Sequence, residues 1–256
     1  MLSWSSRRRI SYLSSVLLVI LVFVGGIYLY FFYHKPTCFD GIKNSGEFGI
    51  DCGGRCVILC QTAFIPAEVD WARVDFLSDG YYNVGAYIKN HNIDSFVKRA
   101  HYIFRIYDDK GIIINEKEGY VYIPPHKNTL AFERAVSVGK RTPVKVTFDF
   151  IESPFWEKYT GLDYNLTQIN PVLSDKDTAP KLSVALKNDT LDDYRNIDVF
   201  AILKDIDGNT ISFSRTAIDK ILNGESKEAV FTWSSKRDRE ISSFEIIPVI
   251  TPITSK

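Results

Sequence analysis

From Ile10 to Tyr33 the chain runs for 24 residues without a charged side chain, and no other feature constrains the fold as strongly. As a helix, at about 1.5 Å per residue, the run reaches roughly 36 Å, enough to cross a hydrocarbon core of ~30 Å. Lipid offers the backbone no hydrogen-bond partners, so a single span has to be helical. Trp4 and Tyr12 stand near one end and Tyr28, Tyr30 and Tyr33 near the other, where interfacial anchors belong. Arg7, Arg8 and Arg9 precede the run and only Lys35 follows closely, which predicts an N-terminus inside and a C-terminus outside. A cleaved signal peptide would need an apolar core of about 7–15 residues and then a small-residue cleavage site. Here the run ends in Tyr28-Leu29-Tyr30-Phe31-Phe32-Tyr33, and the one small pair, Gly25-Gly26, lies deep inside it. The expectation is an uncleaved single-pass anchor in the cell membrane. Residues 1–9 are then cytoplasmic, 10–33 form the transmembrane helix, and the chain from about 34 onward is extracytoplasmic.

The formal net charge of zero hides an asymmetry. The first 35 residues carry +4 and no acid, which leaves 27 basic and 31 acidic side chains in the remainder. A slightly acidic body has no electrostatic footprint for nucleic acid, and that class of partner is excluded.

All four cysteines, Cys38, Cys52, Cys56 and Cys60, fall in one short segment, 36–61. An even count in an oxidising compartment reads as two disulfides, and a segment too short for its own core needs them. Sequence leaves the three pairings open. A four-thiolate zinc site usually shows paired C-x2–4-C knuckles, which this spacing fits poorly. Asp40, Asn44, Glu47 and Asp51 are interleaved here with Gly41, Gly46 and Gly49. Hard oxygen ligands on a glycine-rich loop suit calcium, although the spacing is not that of an EF-hand. The competing reading is that these are turn residues, bonded to nearby backbone.

The stretch Cys38–Cys60 resembles a motif, C-x-D-G-x-x-N-x-x-E-x-x-x-D-C-G-G-x-C-x-x-x-C, that recurs in bacterial surface and secreted proteins. Each fixed position is present, as Cys38, Asp40, Gly41, Asn44, Glu47, Asp51, Cys52, Gly53, Gly54, Cys56 and Cys60. The resemblance implies an extracytoplasmic bacterial protein with neighbouring β-sandwich modules. It implies no activity.

Beyond Cys60 the pattern changes to short apolar runs with turn signals every eight to twelve residues. Val69–Leu77, Tyr81–Lys89, Ala100–Tyr107, Ile112–Asn115, Tyr120–Ile123, Thr129–Ala135 and Val144–Ile151 read as strands. After a looser stretch from Ser153 to Pro180, strands resume at Lys181–Lys187, Ile197–Lys204, Thr210–Ser214, Glu228–Trp233 and Phe244–Ile250. Thr216–Leu222 alone reads as a helical turn, with Ile218, Ile221 and Leu222 on one side. The two halves resemble each other. Lys89-Asn90 aligns with Lys187-Asn188 at an offset of 98, and the segment from Asp108 to Gly111 with that from Asp205 to Gly208 at an offset of 97. A near-constant offset points to duplication. The expected fold is mainly β: one N-terminal transmembrane helix, a short disulfide-rich loop segment, and two tandem immunoglobulin-like β-sandwiches at 66–152 and 155–254. The Lys-Asn and Asp-x-x-Gly pattern is similar to that of bacterial immunoglobulin-like modules of the CARDB and FxLYD kind.

Catalytic machinery is not legible. His34, His91 and His126 lie at the membrane edge or in loops, and His101 shares a strand face with Arg105. No H-E-x-x-H, G-x-S-x-G or P-loop occurs. The acid pairs Asp108/Asp109, Asp192/Asp193 and Asp205/Asp207 read first as turn residues. The expectation is therefore a non-enzymatic envelope protein with no catalytic residues and no certain cofactor. Its two sandwiches bind or scaffold a protein or glycan at the cell surface. A structural spacer or complex subunit is the alternative, and a metal-dependent envelope enzyme the least favoured.

Overall fold

The computed structural model describes residues 4–32, 36–44, 46–161 and 164–251. Tyr33, His34 and Lys35 lie outside the described residues, as do residues 252–254 of the expected second sandwich. The chain divides into two compact units, 1–56 and 57–256.

In the first unit, α1 (Trp4–Phe32) is 29 residues long, and it is long and apolar enough to cross a membrane. Within it Ser14 and Ser15 Oγ donate to the carbonyls of Ser11 and Tyr12 at 2.9 Å. Such i−3 bonds satisfy a polar side chain without help from water. The same unit holds the disulfide loop, described below.

The second unit is all β. Its strands are β1 (Glu68–Ser78), β2 (Tyr81–Lys89), β3 (Ser95–Tyr107), β4 (Ile113–Ile123), β5 (Thr129–Ser137), β6 (Lys145–Phe150) and β7 (Glu157–Lys158). They continue as β8 (Leu166–Ser174), β9 (Lys181–Asn188), β10 (Tyr194–Lys204), β11 (Thr210–Ile221), β12 (Ser226–Thr232) and β13 (Ser243–Ile250). Four sheets result, ordered β1-β2-β5, β4-β3-β6 with β7 on β3, β12-β9-β8 and β11-β10-β13. Each strand from β1 to β6 has its counterpart seven strands later with the same pairing, so the duplication is visible in topology. It extends to side chains. Buried Asn90 donates Nδ2 to the carbonyls of Ser95 (2.8 Å) and Pro124 (2.7 Å), and Asn188 donates to those of Asp192 (2.7 Å) and Ile221 (3.4 Å). Asp108 Oδ1 accepts from the amides of Lys110 and Ile112, and Asp205 Oδ1 from those of Asp207 and Asn209. An arginine closes each turn, Arg141 on Asp108 at 3.1 Å and Arg239 on Asp205 at 3.0 Å. The bonds from the Ile112 and Lys110 amides hold the Asp108 carboxyl below the usual range, as turn residues require.

Inward-facing residues of each sheet pair make a core. Val84, Ala86, Ile88, Phe104, Ile106 and Ile123 lie in the first; Leu182, Leu186, Ile197, Val199, Leu203 and Phe231 lie in the second. The first core also draws in Leu59, Phe64 and Trp156, from outside 66–152. Phe64 stacks on Trp156 with ring centroids 5.1 Å apart, and Asn92 clamps Ile65 by accepting from its amide and donating to its carbonyl at 2.7 Å.

Three local expectations are corrected. The two strands expected at Ile112–Asn115 and Tyr120–Ile123 are one, β4, which begins at Ile113. The looser stretch from Ser153 to Pro180 contains β8, hidden by Asn170-Pro171. Proline is admitted because β8 is an edge strand with a bulge between Ile169 and Val172, where Asn170 takes φ +46°. Thr216–Leu222 is not helical: Ile218 pairs with Ile197 and Ile221 with Tyr194 as β11 runs on beside β10. Cross-strand pairing overrides a three-residue helical spacing.

A third cluster joins the two sandwiches. The outer face of β1-β2-β5 packs against that of β11-β10-β13 through Tyr87, Leu130, Phe200, Ile202, Phe213 and Ile247, flanked by Trp71 and Phe132. Fully buried apolar side chains contribute roughly 1.5–3 kcal/mol each, so this seam outweighs its polar pairs. Those pairs fix its register. Arg237 Nη1 lies 2.9 Å from Asp75 Oδ1, both side chains being 7% exposed, and Ser212 Oγ donates to Asp75 Oδ2 at 2.8 Å. Tyr87 donates to Glu245 at 2.8 Å, and Glu245 also binds Lys204 at 2.7 Å. Gly85 makes room: a Cβ there would lie 2.6 Å from the Phe213 ring, which Trp71 and Phe132 hold in place.

Gly85→Val is expected to cost about 1–3 kcal/mol by overpacking, measured by denaturant unfolding. A second prediction concerns pH. Burial raises the Asp75 carboxyl from 3.8 to about 6 despite Arg237. The folded state therefore holds this proton more tightly. The stability this group contributes is complete below 3.8 and is lost as pH rises to about 6. Asp75→Asn is expected to lack that decline when Tm is followed from acid to neutral pH. The cost of leaving Arg237 unpaired is independent of pH and drops out of the slope.

Candidate functional site

The disulfide loop gathers the residues singled out by sequence. Its four cysteines form two disulfides, one of them Cys38–Cys56 with Cα atoms 5.7 Å apart. Asp51 Oδ1 and Oδ2 accept from the amides of Asp40 (3.0 Å) and Gly41 (2.9 Å). Asp40 accepts from the amides of Thr37 and Ile42, both at 3.0 Å, and from Asn44 Nδ2 at 2.6 Å. Glu47 Oε2 accepts from the amides of Asn44 (3.1 Å) and Asp51 (3.3 Å). The Thr37 amide is the main cause of an Asp40 carboxyl below its ordinary range, opposed by partial burial. Gly54 takes φ +61°, and a Cβ there would overlap the Gly46 carbonyl. The motif residues thus have identifiable structural roles.

Asp40, Asn44, Glu47 and Asp51 are brought together, but as a turn. Asp40, Asp51 and Glu47 Oε2 accept from backbone amides, and Asn44 presents its NH2 to Asp40, which is the arrangement of the turn reading. Among the described residues, three potential ligand groups converge within 4.8 Å only at Cys38, Glu47 and Cys56. Cys38 and Cys56 are joined as a disulfide and offer no thiolate. Sulfur in a disulfide carries no proton, so the 3.3 Å approach of Cys56 Sγ to Glu47 Oε1 is a contact and not a hydrogen bond.

A second candidate lies on the seam, where sequence reasoning found nothing. A cavity of about 300 Å³ is lined from β3 by Lys98, Arg99 and Tyr102, from β4 by Tyr120 and Tyr122, from β5 by Phe132, and from β10 and β11 by Asp198, Phe200 and Arg215. Gly119 leaves the space in which Tyr102 donates to Glu133 at 3.0 Å. Burial, the main cause, and Glu133 push the Tyr102 phenol upward, so it stays a neutral donor. Arg215 is committed to Asp198 at 2.6 Å. Arg99 lies 3.6 Å above the Tyr120 ring, whose other partner is His101, stacked at 4.5 Å. Among the described residues neither Lys98 nor Arg99 has a carboxylate within ion-pair distance. The cleft is basic and aromatic.

Among the described histidines, His91 contacts Glu68 at 2.8 Å and His101 contacts Glu118 at 3.2 Å, both near the surface. Among the described residues no serine or threonine hydroxyl bonds to either ring.

No known protein family matches the sequence, and no curated protein matches it. Among solved structures, the chain is similar to red sea bream transglutaminase, with a TM-score of 0.23 and 10% identity over 70% of this chain and 31% of that one. It is also similar to a β-glucuronidase from glycoside hydrolase family 2, with a TM-score of 0.23 and 9% identity over 85% and 27%. The chain spans less than a third of the length of either. Neither likeness carries an argument about activity.

Adding calcium to chelated protein is expected to leave amide exchange across residues 38–56 unchanged. Asp51→Asn, which keeps a residue tolerant of φ +55° but removes one acceptor oxygen, is expected to accelerate exchange at the Asp40 and Gly41 amides.

Proposed function

We propose that this chain is a non-enzymatic, membrane-anchored envelope protein whose two sandwiches act as one rigid scaffold and bind an acidic protein or glycan group in the seam cleft. The observation that carries this reading is the pair of cations, Lys98 and Arg99, left without acid partners beside aromatic rings in a cleft that requires both sandwiches. Aromatic bodies with positioned polar groups are what a binding cleft needs, and uncompensated cations select for a carboxylate or sulfate-bearing partner. The anchor helix, the oxidised loop and the bacterial motif support an extracytoplasmic setting. A pure spacer is the second reading, favoured by the buried seam, which makes a stiff rod whether or not the cleft is occupied.

Immobilised acidic and neutral polysaccharides and acidic peptides, presented to the full chain in detergent, separate the two. The proposal expects salt-dependent retention of the acidic probes, reduced at least about tenfold, or 1.4 kcal/mol, in Lys98→Glu/Arg99→Glu. Retention that ignores both salt and the substitutions, or no retention at all, would leave the spacer reading in possession.

A further inference from the structure

The disulfide loop has an inverted surface. Phe39 is 80% exposed, Phe48 78%, Ile50 63% and Ile42 62%, while Asp40, Glu47 and Asp51 are half-buried with their carboxylates turned onto backbone amides. The charges that remain outside are Lys43 and Arg55, both exposed. A small loop in water normally shows the reverse, acids out and aromatics in, because apolar area in water is costly. Phe48 lies over Gly53 on one side, yet all four of these large apolar side chains keep most of their surface exposed.

Chain continuity says what covers them. Phe39 follows the last residue of α1, Phe32, by seven residues, which span at most about 25 Å when fully extended. Cys38–Cys56 then ties the far end of the loop back to its start. The loop is thus held close to wherever α1 leaves the membrane, and its exposed chemistry is that of an interfacial segment: aromatic and branched aliphatic groups for the acyl boundary, cations for anionic headgroups.

We propose that the disulfide loop is a membrane-seated foot, with Phe39, Ile42, Phe48 and Ile50 inserted into the interfacial layer of the bilayer that α1 crosses, and Lys43 and Arg55 set against its headgroups. The proposal rests on the membrane-anchored reading of α1. Its consequence is mechanical: an anchor of one helix alone leaves the exported part free to swing, whereas a crosslinked foot beside it limits that freedom.

The test uses the full chain, one copy per nanodisc, in phosphatidylcholine with phosphatidylglycerol and a trace of phospholipid carrying a diazirine near its ester linkage. After photolysis the labelled residues are mapped by mass spectrometry. The proposal expects label on α1 and on Phe39 and Phe48, none on the exposed body residues Phe155 and Leu191, and a several-fold loss of loop labelling in Phe39→Ser/Phe48→Ser with α1 labelling unchanged. Label confined to α1 would overturn the foot and leave the anchor intact. Absence of label from α1 as well would overturn both.

Discussion

Packing between β1-β2-β5 and β11-β10-β13 is the contact on which the second unit depends. Each sandwich has its own core, but the two sheets that meet at the seam are apolar on both faces. Val84, Ala86 and Ile88 point into the first core while Gly85 and Tyr87 point across the seam. In β10, Val199, Ala201 and Leu203 point into the second core while Phe200 and Ile202 point across. Either sandwich alone would expose this face to water, a patch of the kind that isolated soluble domains avoid. Tandem domains move relative to one another unless their interface is large and hydrophobic, and this one is hydrophobic at its centre. The Asp75–Arg237 pair cannot supply the same stabilisation, because desolvation offsets most of its attraction. Its part is to set which residues face which.

Much of the fold was legible in the sequence. The uncharged run gave α1, alternating Val, Ile, Tyr and Phe gave most strands, and the spacing of Asn90/Asn188 and Asp108/Asp205 gave the duplication. The seam was not read, although its signal is there. Val84–Ile88 and Val199–Leu203 are apolar at consecutive positions, which marks strands buried on both faces; reading them as alternating assigns each only one. β8 and the far end of β11 were missed for a different reason. Asn170-Pro171 and the Ile218/Ile221/Leu222 spacing are local signals, and what overrides them, an edge position and pairing with β10, is tertiary. The seam cleft was invisible because Lys98, Tyr120, Phe132 and Arg215 come from four strands.

In the disulfide loop the residue types were legible and their orientation was not. Acids, amides and glycines at this density serve equally well for a cation site or for a crosslinked turn. What separates the two is where the carboxylate oxygens point. Asp51 bonds the Asp40 and Gly41 amides, and Glu47 those of Asn44 and Asp51, which turns these acids inward. A segment this short has no apolar core to offer, so disulfides and carboxylate–amide bonds take that role and leave the apolar residues outside. In a free soluble protein that arrangement would be a liability. Beside a helix long and apolar enough to cross a membrane, the proposed foot gives those side chains a place.

The central claim is that two sandwiches form one body, and calorimetry of the full chain in detergent tests it most directly. The account predicts a single unfolding transition, with calorimetric and van't Hoff enthalpies equal within error for the β region. Two separable transitions, or a van't Hoff enthalpy near half the calorimetric one, would mean that the sandwiches unfold independently and that the seam does not hold them.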